Sequence, residues 1–478
     1  MPAKKRASSK KRRGGRRRGG IKRPRVVNAT GMGSAGGSST VNVTLGLNAE
    51  LDYFTNNRIA SSAKRLPVEI IAPLTALQPG APIEFLVPAS GNLVRRLDES
   101  SIHIRMRIVK ADGTDLGADS NVGPINCTLH SLFRNIDVEL NGKLITDPNE
   151  LYPYRAYIET LFDATDRWAV NRGREIGWAK DTPGKMDVCN ALTGDNVGLK
   201  ARTNPFKLSK TVELYGRPHL DIFHQPRAIP TQVAIKLRLI PSSASFALMA
   251  MGADNGAAVP EYKFVIDDIK FHVASEEPLD ATQVAIEQMA SHQTFKFPMP
   301  CITLKTLAIP ANIQTIEFPN VYNGQIPERL VFFIVEDGAL VGNYKKNPFH
   351  FKHHHINNLV IYLNGETIPG RPLRPDFVNG VYGECYYLLL NMLKRQHCPD
   401  NIELAWDDYN KGYTIFGFDL TADHTGGSGS VAHPGGGELT LSIQFGQAVA
   451  ETLKVICVAE NSSLLEIDHF RTVSITPL

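Results

Sequence analysis

The chemically dense part of the sequence is a run of cations. Lys4, Lys5, Arg6, Lys10, Lys11, Arg12, Arg13, Arg16, Arg17, Arg18, Lys22, Arg23 and Arg25 place 13 basic side chains in 25 residues without one acid. Each cation that neutralises a phosphate releases a condensed counterion, so such a cluster binds nucleic acid through charge without reading sequence. The interspersed glycines let the backbone follow a polymer, and no aromatic side chain interleaves to stack on bases. The KKR and KKRR blocks equally fit a nuclear import signal. A solubility tail is the third reading, and the first two roles can coexist.

Other candidate chemistry is sparse. His350, His353, His354 and His355 form a dense cluster of metal-type ligands. On a strand His353 and His355 share a face while His354 points away. That reads as a polar strand edge or a pH-responsive interface, and no metal or other cofactor is expected. Asp407 and Asp408 beside Trp406 approach a paired-carboxylate pattern, but adjacent residues on a strand face opposite ways. There is no Walker loop, HExxH or GxSxG elbow, and no local arrangement sets a nucleophile beside its base. Gly31, Gly33 and Gly36 spell GxGxxG, yet a dinucleotide site needs a strand before it and a helix after it. No enzymatic activity is expected.

The net charge of +4 over 478 residues hides a split. Setting aside the 13 cations of the arm leaves 39 basic against 48 acidic residues, so the remainder carries −9. A cationic arm is attached to a mildly anionic body. The six cysteines are scattered with no CxxC pair, which suits reduced, buried thiols of an intracellular protein. The basic N-terminus lacks a following apolar stretch, so no secretory signal is expected. No apolar run approaches the roughly 20 residues that span a bilayer.

The elements that would position these residues are mostly strands. Residues 1–27 cannot bury apolar surface and read as a disordered arm. Residues 28–50, rich in Gly, Ser, Thr and Asn, read as a linker. Beyond them the texture is β: Ile102–Ile108, Val233–Leu239 and Leu439–Phe445 alternate apolar and polar residues, the period of a half-buried strand. The segments NIDVELNGKLI (Asn135–Ile145) and NLVIYLNGETI (Asn358–Ile368) repeat at an offset of 223. In each, Asn-Gly (Asn141-Gly142 and Asn364-Gly365) predicts a two-residue hairpin turn with positive φ at both positions. Ile136, Val138 and Leu140 should then face a core, as should Leu359, Ile361 and Leu363.

Four further landmarks recur in the same order. IEF occurs at Ile83–Phe85 and Ile316–Phe318, and VKADG at Val109–Gly113 is echoed by VEDG at Val335–Gly338. Asn149/Tyr152/Tyr157 match Asn379/Tyr382/Tyr387, and LYG at Leu214–Gly216 meets IFG at Ile415–Gly417. Five matches in order indicate a duplicated β-domain of about 200 residues per copy. Amphipathic spacing predicts one helix after each hairpin, from Leu151 to Phe162 and from Tyr382 to Leu393. A third, from Pro278 to Ala290 with Asp280 as N-cap, marks the joint between copies. The expected segments are a first β-domain over 51–276, a linker with a short helix over 277–298, and a second β-domain over 299–478. Many short strands, Gly/Pro-rich turns and few helices describe a sandwich or jelly roll.

Several longer words resemble the major capsid proteins of Polinton (Maverick) elements and adintoviruses. They include EFLVPASG at Glu84–Gly91, VGPINCTLHSLF at Val122–Phe133 and YPYRAYIETLF at Tyr152–Phe162. GRPHLDIFHQ at Gly216–Gln225, KNPFHFKH at Lys346–His353, IYLNG at Ile361–Gly365 and GYTIFGFDLT at Gly412–Thr421 are similar too. The likeness runs from about Leu51 to Asp468. It implies an all-β double jelly roll, two tandem eight-stranded sandwiches with short loop helices. It also implies a homotrimer forming pseudo-hexagonal capsomers in an icosahedral virion capsid, with neighbouring capsomers, a penton protein and double-stranded DNA as partners. Assembly in the host nucleus would follow. The arm lies outside the resembling region, so its role rests on charge alone. Tyr152, Tyr154, Tyr157, Tyr382, Tyr386 and Tyr387 would either serve contacts between subunits or pack each helix on its own sandwich. The competing readings are a host nucleic-acid-binding protein built on a domesticated capsid gene, and a β-sandwich enzyme.

Overall fold

The computed structural model describes residues 62–252, 259–395, 402–424, 426 and 436–477, together with two-residue strands at 28–29 and 41–42. Those two short strands pair antiparallel inside the segment expected to be linker. They belong to a unit of residues 1–60, whereas residues 61–478 form a second compact unit. The basic arm and the GxGxxG glycines lie outside the described residues.

Within the larger unit the first copy supplies strands β1 (Ala63–Arg65), β2 (Glu69–Ile71), β3 (Ile83–Val87), β4 (Val94–Lys110) and β5 (Val122–Pro124). It continues with β6 (Phe133–Leu140), β7 (Lys143–Leu144), β8 (Val212–Gly216), β9 (Ile235–Pro241), β10 (Leu248–Ala250) and β11 (Tyr262–Pro278). The second copy supplies β12 (Phe295–Ile309), β13 (Thr315–Gln325), β14 (Arg329–Glu336) and β15 (Ile356–Leu363). It ends with β16 (Glu366–Leu373), β17 (Phe416–Asp419), β18 (Gly436–Phe445), β19 (Leu453–Ile467) and β20 (Val473–Pro477).

The copies share one topology. In the first, β8-β4-β11-β1 make one sheet, with β2 also on β11, and β3-β9-β6-β7 make the other. In the second, β12-β19-β14-β17 and β13-β18-β15-β16 do the same, with β20 added beside β19. Take β1 and β2 as one interrupted strand and set aside the small β5/β10 pair. Each copy then orders its eight strands 1-8-3-6 and 2-7-4-5, which is a jelly roll.

The repeated words fall at equivalent places. IEF lies in the second strand of each copy, and the VKADG and VEDG words close the third. LNG forms the hairpin between the fourth and fifth strands, and LYG and IFG mark the sixth. The alternating strands are half-buried as their period requires: Ile102, Ile104, Met106 and Ile108 are at most 3% exposed, and Leu439, Leu441, Ile443 and Phe445 are fully buried. Ile136, Val138, Leu140, Leu359 and Ile361 are buried in the core, and Leu363 packs against it.

Both Asn-Gly pairs have the backbone of a primed turn, with φ of 47° and 80° at Asn141-Gly142 and 54° and 83° at Asn364-Gly365. Each asparagine also performs a second task. The Asn141 backbone N–H donates to the Ala234 carbonyl at 2.9 Å, and its Oδ1 accepts the Ala234 N–H at 2.7 Å. Asn364 makes the same two-way bond with Glu438, at 3.0 Å in both directions. The turn is thereby fastened to the start of the seventh strand of its own sheet.

The three expected helices form where periodicity places them, as α1 (Tyr152–Asp163), α2 (Asp280–Ala290) and α3 (Gly383–Met392). One detail differs. Asp280 is the first helical residue and Leu279 holds the cap position without a side-chain bond. The chain arrives extended from β11, which carries the boundary one residue back, and Asp280 still lies where the helix dipole favours an acid. Only residues 279–294 separate β11 from β12.

Nothing lies within 4 Å of a Cβ built on Gly142 or Gly365, so a substitution there meets backbone strain alone. Gly142→Val and Gly365→Val should each lose about 1–2 kcal/mol and lower the melting temperature. Gly142→Asn, which tolerates left-handed φ, should melt close to the parent. Equal melting of the Val and Asn variants would refute the turn assignment.

Candidate functional site

The helix after the first hairpin does not simply lie on its own sandwich. Tyr154 and Tyr157 project from α1 into aromatic side chains of the second copy. The Tyr157 ring stacks on Phe349 with centroids 4.1 Å apart and planes 3° from parallel, and Phe351 stands edge-on at 5.8 Å. Tyr154 meets Phe349 at 5.6 Å and Phe333 at 5.9 Å. Behind them Trp178 closes on Tyr157 at 5.3 Å and donates its indole N–H to Glu403 Oε2 at 2.7 Å. Tyr154 and Tyr157 therefore pack neither only on their own sandwich nor, as seen here, against another subunit, but in the seam between the two jelly rolls inside one chain. Tyr152, Tyr382 and Tyr386 are also buried, while Tyr387, the sequence match of Tyr157, is 56% exposed. At that position α3 carries no equivalent plug.

A polar network underlies this seam. Asp181 is fully buried and ion-paired with Arg202 at 2.7 Å. It also accepts from Asn196 at 2.9 Å and, across the seam, from Asn347 at 3.0 Å. Its backbone carbonyl takes the Tyr413 hydroxyl at 2.8 Å. A buried charge so surrounded is tolerable because its lone pairs are met. Beside it Lys180 pairs with Asp408 at 2.7 Å. Asp408 and Asp407 lie on a short helix, Trp406–Tyr409, not on a strand. Tyr382 and Tyr386 flank that Trp ring at 5.4 and 5.3 Å, so the tryptophan packs against α3 and frames no paired-carboxylate cleft.

The histidine run is a turn rather than a strand. His354 and His355 have φ of 42° and 56°, and β15 begins only at Ile356. The alternating-face reading therefore fails, because a turn has no period of two. His350 Nδ1 lies 2.6 Å from Asp187 Oδ2 across the seam. His353 stacks on Phe377 at 4.5 Å, and its Nδ1 accepts the His355 N–H at 3.0 Å. Burial pushes the His353 and His354 imidazoles down to about 4; for His354, Lys352 adds to burial and Glu336 opposes it.

A second constellation, unread in the sequence, gathers at the outer end of α1. Glu159 Oε2 lies 2.7 Å from His219 Nδ1 and 3.9 Å from His224 Nε2. Arg155 holds Glu159 Oε1 at 2.8 Å and also pairs with Asp221. Burial opposes ionisation of Glu159, yet Arg155, His219 and His224 outweigh it and hold the carboxyl well below its ordinary range. Burial brings the His224 imidazole down to about 4. His219 and His224 line a cleft of about 570 Å³, and Glu159, Arg155, Asp221 and His224 line a neighbouring one of about 290 Å³. The signal was present in GRPHLDIFHQ, whose His219, Asp221 and His224 fall within six residues. Glu159, 60 residues earlier in the chain, gave no local hint. Among the described residues the five cysteines are unpaired, and burial pushes the Cys127, Cys385 and Cys457 thiols up to about 12. They are poor thiolate nucleophiles.

No family model matches the chain. Over 362 residues it is 25% identical to an uncharacterized protein of Caenorhabditis elegans, covering 72% of this chain and 81% of that one. Among solved structures, a chain of the Sputnik virophage superposes with a TM-score of 0.59 at 12% identity, over 92% of this chain and 94% of that chain. The capsid of the virus PBCV-1 gives 0.54 at 12% identity over 89% and 99%. The Faustovirus major capsid protein gives 0.53 at 10% identity over 87% and 92%. The fold is the double jelly roll of viral major capsid proteins. In this double jelly roll the α1 aromatics supply the seam, and no helix among the described residues is long and apolar enough to cross a membrane.

Two outcomes follow from the seam and the turn. Tyr157→Ala should cost about 3–5 kcal/mol, as other buried aromatic truncations do. A double-mutant cycle with Phe349→Ala should show a coupling of about 0.5–1.5 kcal/mol, and a coupling near zero would dissolve the stack. A histidine whose folded pKa lies below the ordinary value of about 6.5 binds its proton first in the unfolded chain. Its contribution is complete above that value and is lost as the pH falls toward about 4. Melting temperature should drop from pH 7 to 5, and His354→Asn should flatten the drop; superimposable pH profiles would contradict this.

Proposed function

We propose that the chain is a major capsid protein whose copies trimerise into pseudo-hexagonal capsomers and tile an icosahedral shell. The observation that carries this reading is the pair of sandwiches of like topology joined through a buried seam in one chain. Three such chains about one axis present six similar sandwiches, the outline that a hexagonal lattice needs, and closed cyclic symmetry is the usual choice of homo-oligomers. The apolar side chains Val378, Val381, Tyr387 and Trp406, between 47% and 76% exposed around the start of α3, offer contact area for a neighbouring copy. Neighbouring capsomers and a penton protein would complete the shell around double-stranded DNA. The arm of residues 1–27 would contact that DNA, direct import into the host nucleus, or both.

A second reading, a host protein built on a domesticated capsid gene that keeps only nucleic-acid binding, is favoured by the nematode relative. Negative-stain electron microscopy of the purified full-length protein separates the two. Hexagonal particles or shells are expected; monodisperse particles of monomer size across several salt and pH conditions would favour the host protein. For the arm, affinity for duplex DNA should fall log-linearly with salt, by a slope of about −0.9 per phosphate neutralised. Deleting residues 1–27 should remove most of that slope. Retention of the full slope would place binding elsewhere.

A further inference from the structure

The cluster at the outer end of α1 is built like a metal site. We propose that Glu159, His219 and His224 bind one zinc-class divalent cation and so fasten the loop around residues 217–224 to α1. One ligand atom from each of the three residues lies within 4.8 Å of the others. A tetrahedral zinc with bonds of about 2.0–2.1 Å sets its ligands roughly 3.3 Å apart. The two Glu159 distances, 2.7 Å to His219 and 3.9 Å to His224, bracket that spacing. A hydrogen-bonded clamp explains the first distance, whereas the second is too long for a hydrogen bond and corresponds at most to a loose ion pair.

The surroundings suit the ligands. A metal-bound carboxylate keeps its other oxygen hydrogen-bonded, and Arg155 holds Glu159 Oε1 at 2.8 Å with Asp221 balancing the guanidinium charge. A ligating histidine offers its second nitrogen to an outer partner, and His219 Nε2 lies 3.4 Å from the Thr160 hydroxyl. A separate observation points to an absent ligand. His130 is 3% exposed and its Nε2 has no hydrogen-bond partner. Its ring stands edge-on to His219, with centroids 4.7 Å apart, and lines the same cleft. On the side of the two histidine ligands the cleft leaves room for water as a fourth ligand, and His130, which lines it too, has its Nε2 available to bond that water. Two imidazoles with one carboxylate select zinc over calcium or magnesium, which prefer oxygen. Asp221 Oδ2 also accepts the Ile302 backbone N–H at 3.4 Å, so the site would brace the loop beside the first strand of the second jelly roll.

The test uses the full chain stripped with chelator and dialysed. Calorimetric titration with Zn²⁺ should give one ion per chain, a melting temperature raised by a few degrees, and, with Co²⁺, the intense visible absorption of four-coordinate cobalt. His224→Gln should melt like the parent in chelator yet bind Zn²⁺ at least about 100-fold more weakly, beyond what loss of an outer-shell partner costs. His353→Gln should bind as the parent does. The proposal is overturned if the parent takes up no Zn²⁺, if His224→Gln binds as tightly, or if His353→Gln abolishes uptake.

Discussion

The contact between Tyr157 and Phe349 is the constraint on which the two-part architecture turns. A jelly roll closes its own core and has no intrinsic reason to hold a fixed attitude to its neighbour. Here a helix inserted between the fourth-fifth hairpin and the sixth strand of the first copy carries two tyrosines across the boundary. They enter a pocket of Phe333, Phe349 and Phe351. Such aromatic pairs have preferred geometries as well as buried area, so they resist sliding as well as separation. Together with the polar contacts across the seam they join residues 61–478 into one compact unit.

The polar groups around that seam show how specificity is added to cohesion. Asp181 is fully buried and draws partners from both copies. Losing Arg202 would leave an uncompensated buried charge, and losing Asn347 would leave a lone pair unmet in a low-dielectric interior, so the network favours the docking seen here. Asp187 repeats the device nearer the surface, taking His350, Lys352 and the Asn347 N–H from the second copy. The hairpin asparagines act within each sheet in the same spirit, and Asn141 also donates to the Arg471 carbonyl near the far end of the chain at 3.0 Å.

Duplication left the halves alike in topology and unlike in detail. The fourth-fifth hairpins superpose in role to the level of single hydrogen bonds. The loop helices do not: α1 buries Tyr157, whereas the matching Tyr387 on α3 faces outward. The first strand of the second copy pairs along 15 residues with β19, while its counterpart in the first copy is broken into two pieces of 3 residues each. One copy thus became the socket and the other the plug.

Local physics made much of this legible in the sequence. Period-two alternation fixes which side chains face a core, Asn-Gly fixes a turn that needs positive φ, and amphipathic spacing fixes a helix. The strands at Ile102–Ile108 and Leu439–Phe445, both hairpins and the three longest helices follow from such signals; the short helical segments between α1 and β8, such as Asp166–Asn171 and Val197–Thr203, do not. The order of the repeated words likewise revealed a duplicated β-domain. At the histidine run no period exists, so the sequence pattern alone does not distinguish a strand from the turn that His354 and His355 form. Contacts between residues distant in sequence were decided by the tertiary structure alone. Asp181 meets Asn347 across 166 positions, Trp178 meets Glu403 across 225, and Glu159 meets His219 across 60. A residue's type and near neighbours carry no information about which strand the fold will bring beside it. For that reason the sequence by itself determined the sandwiches, and only their packing decided the seam and the cluster at its edge.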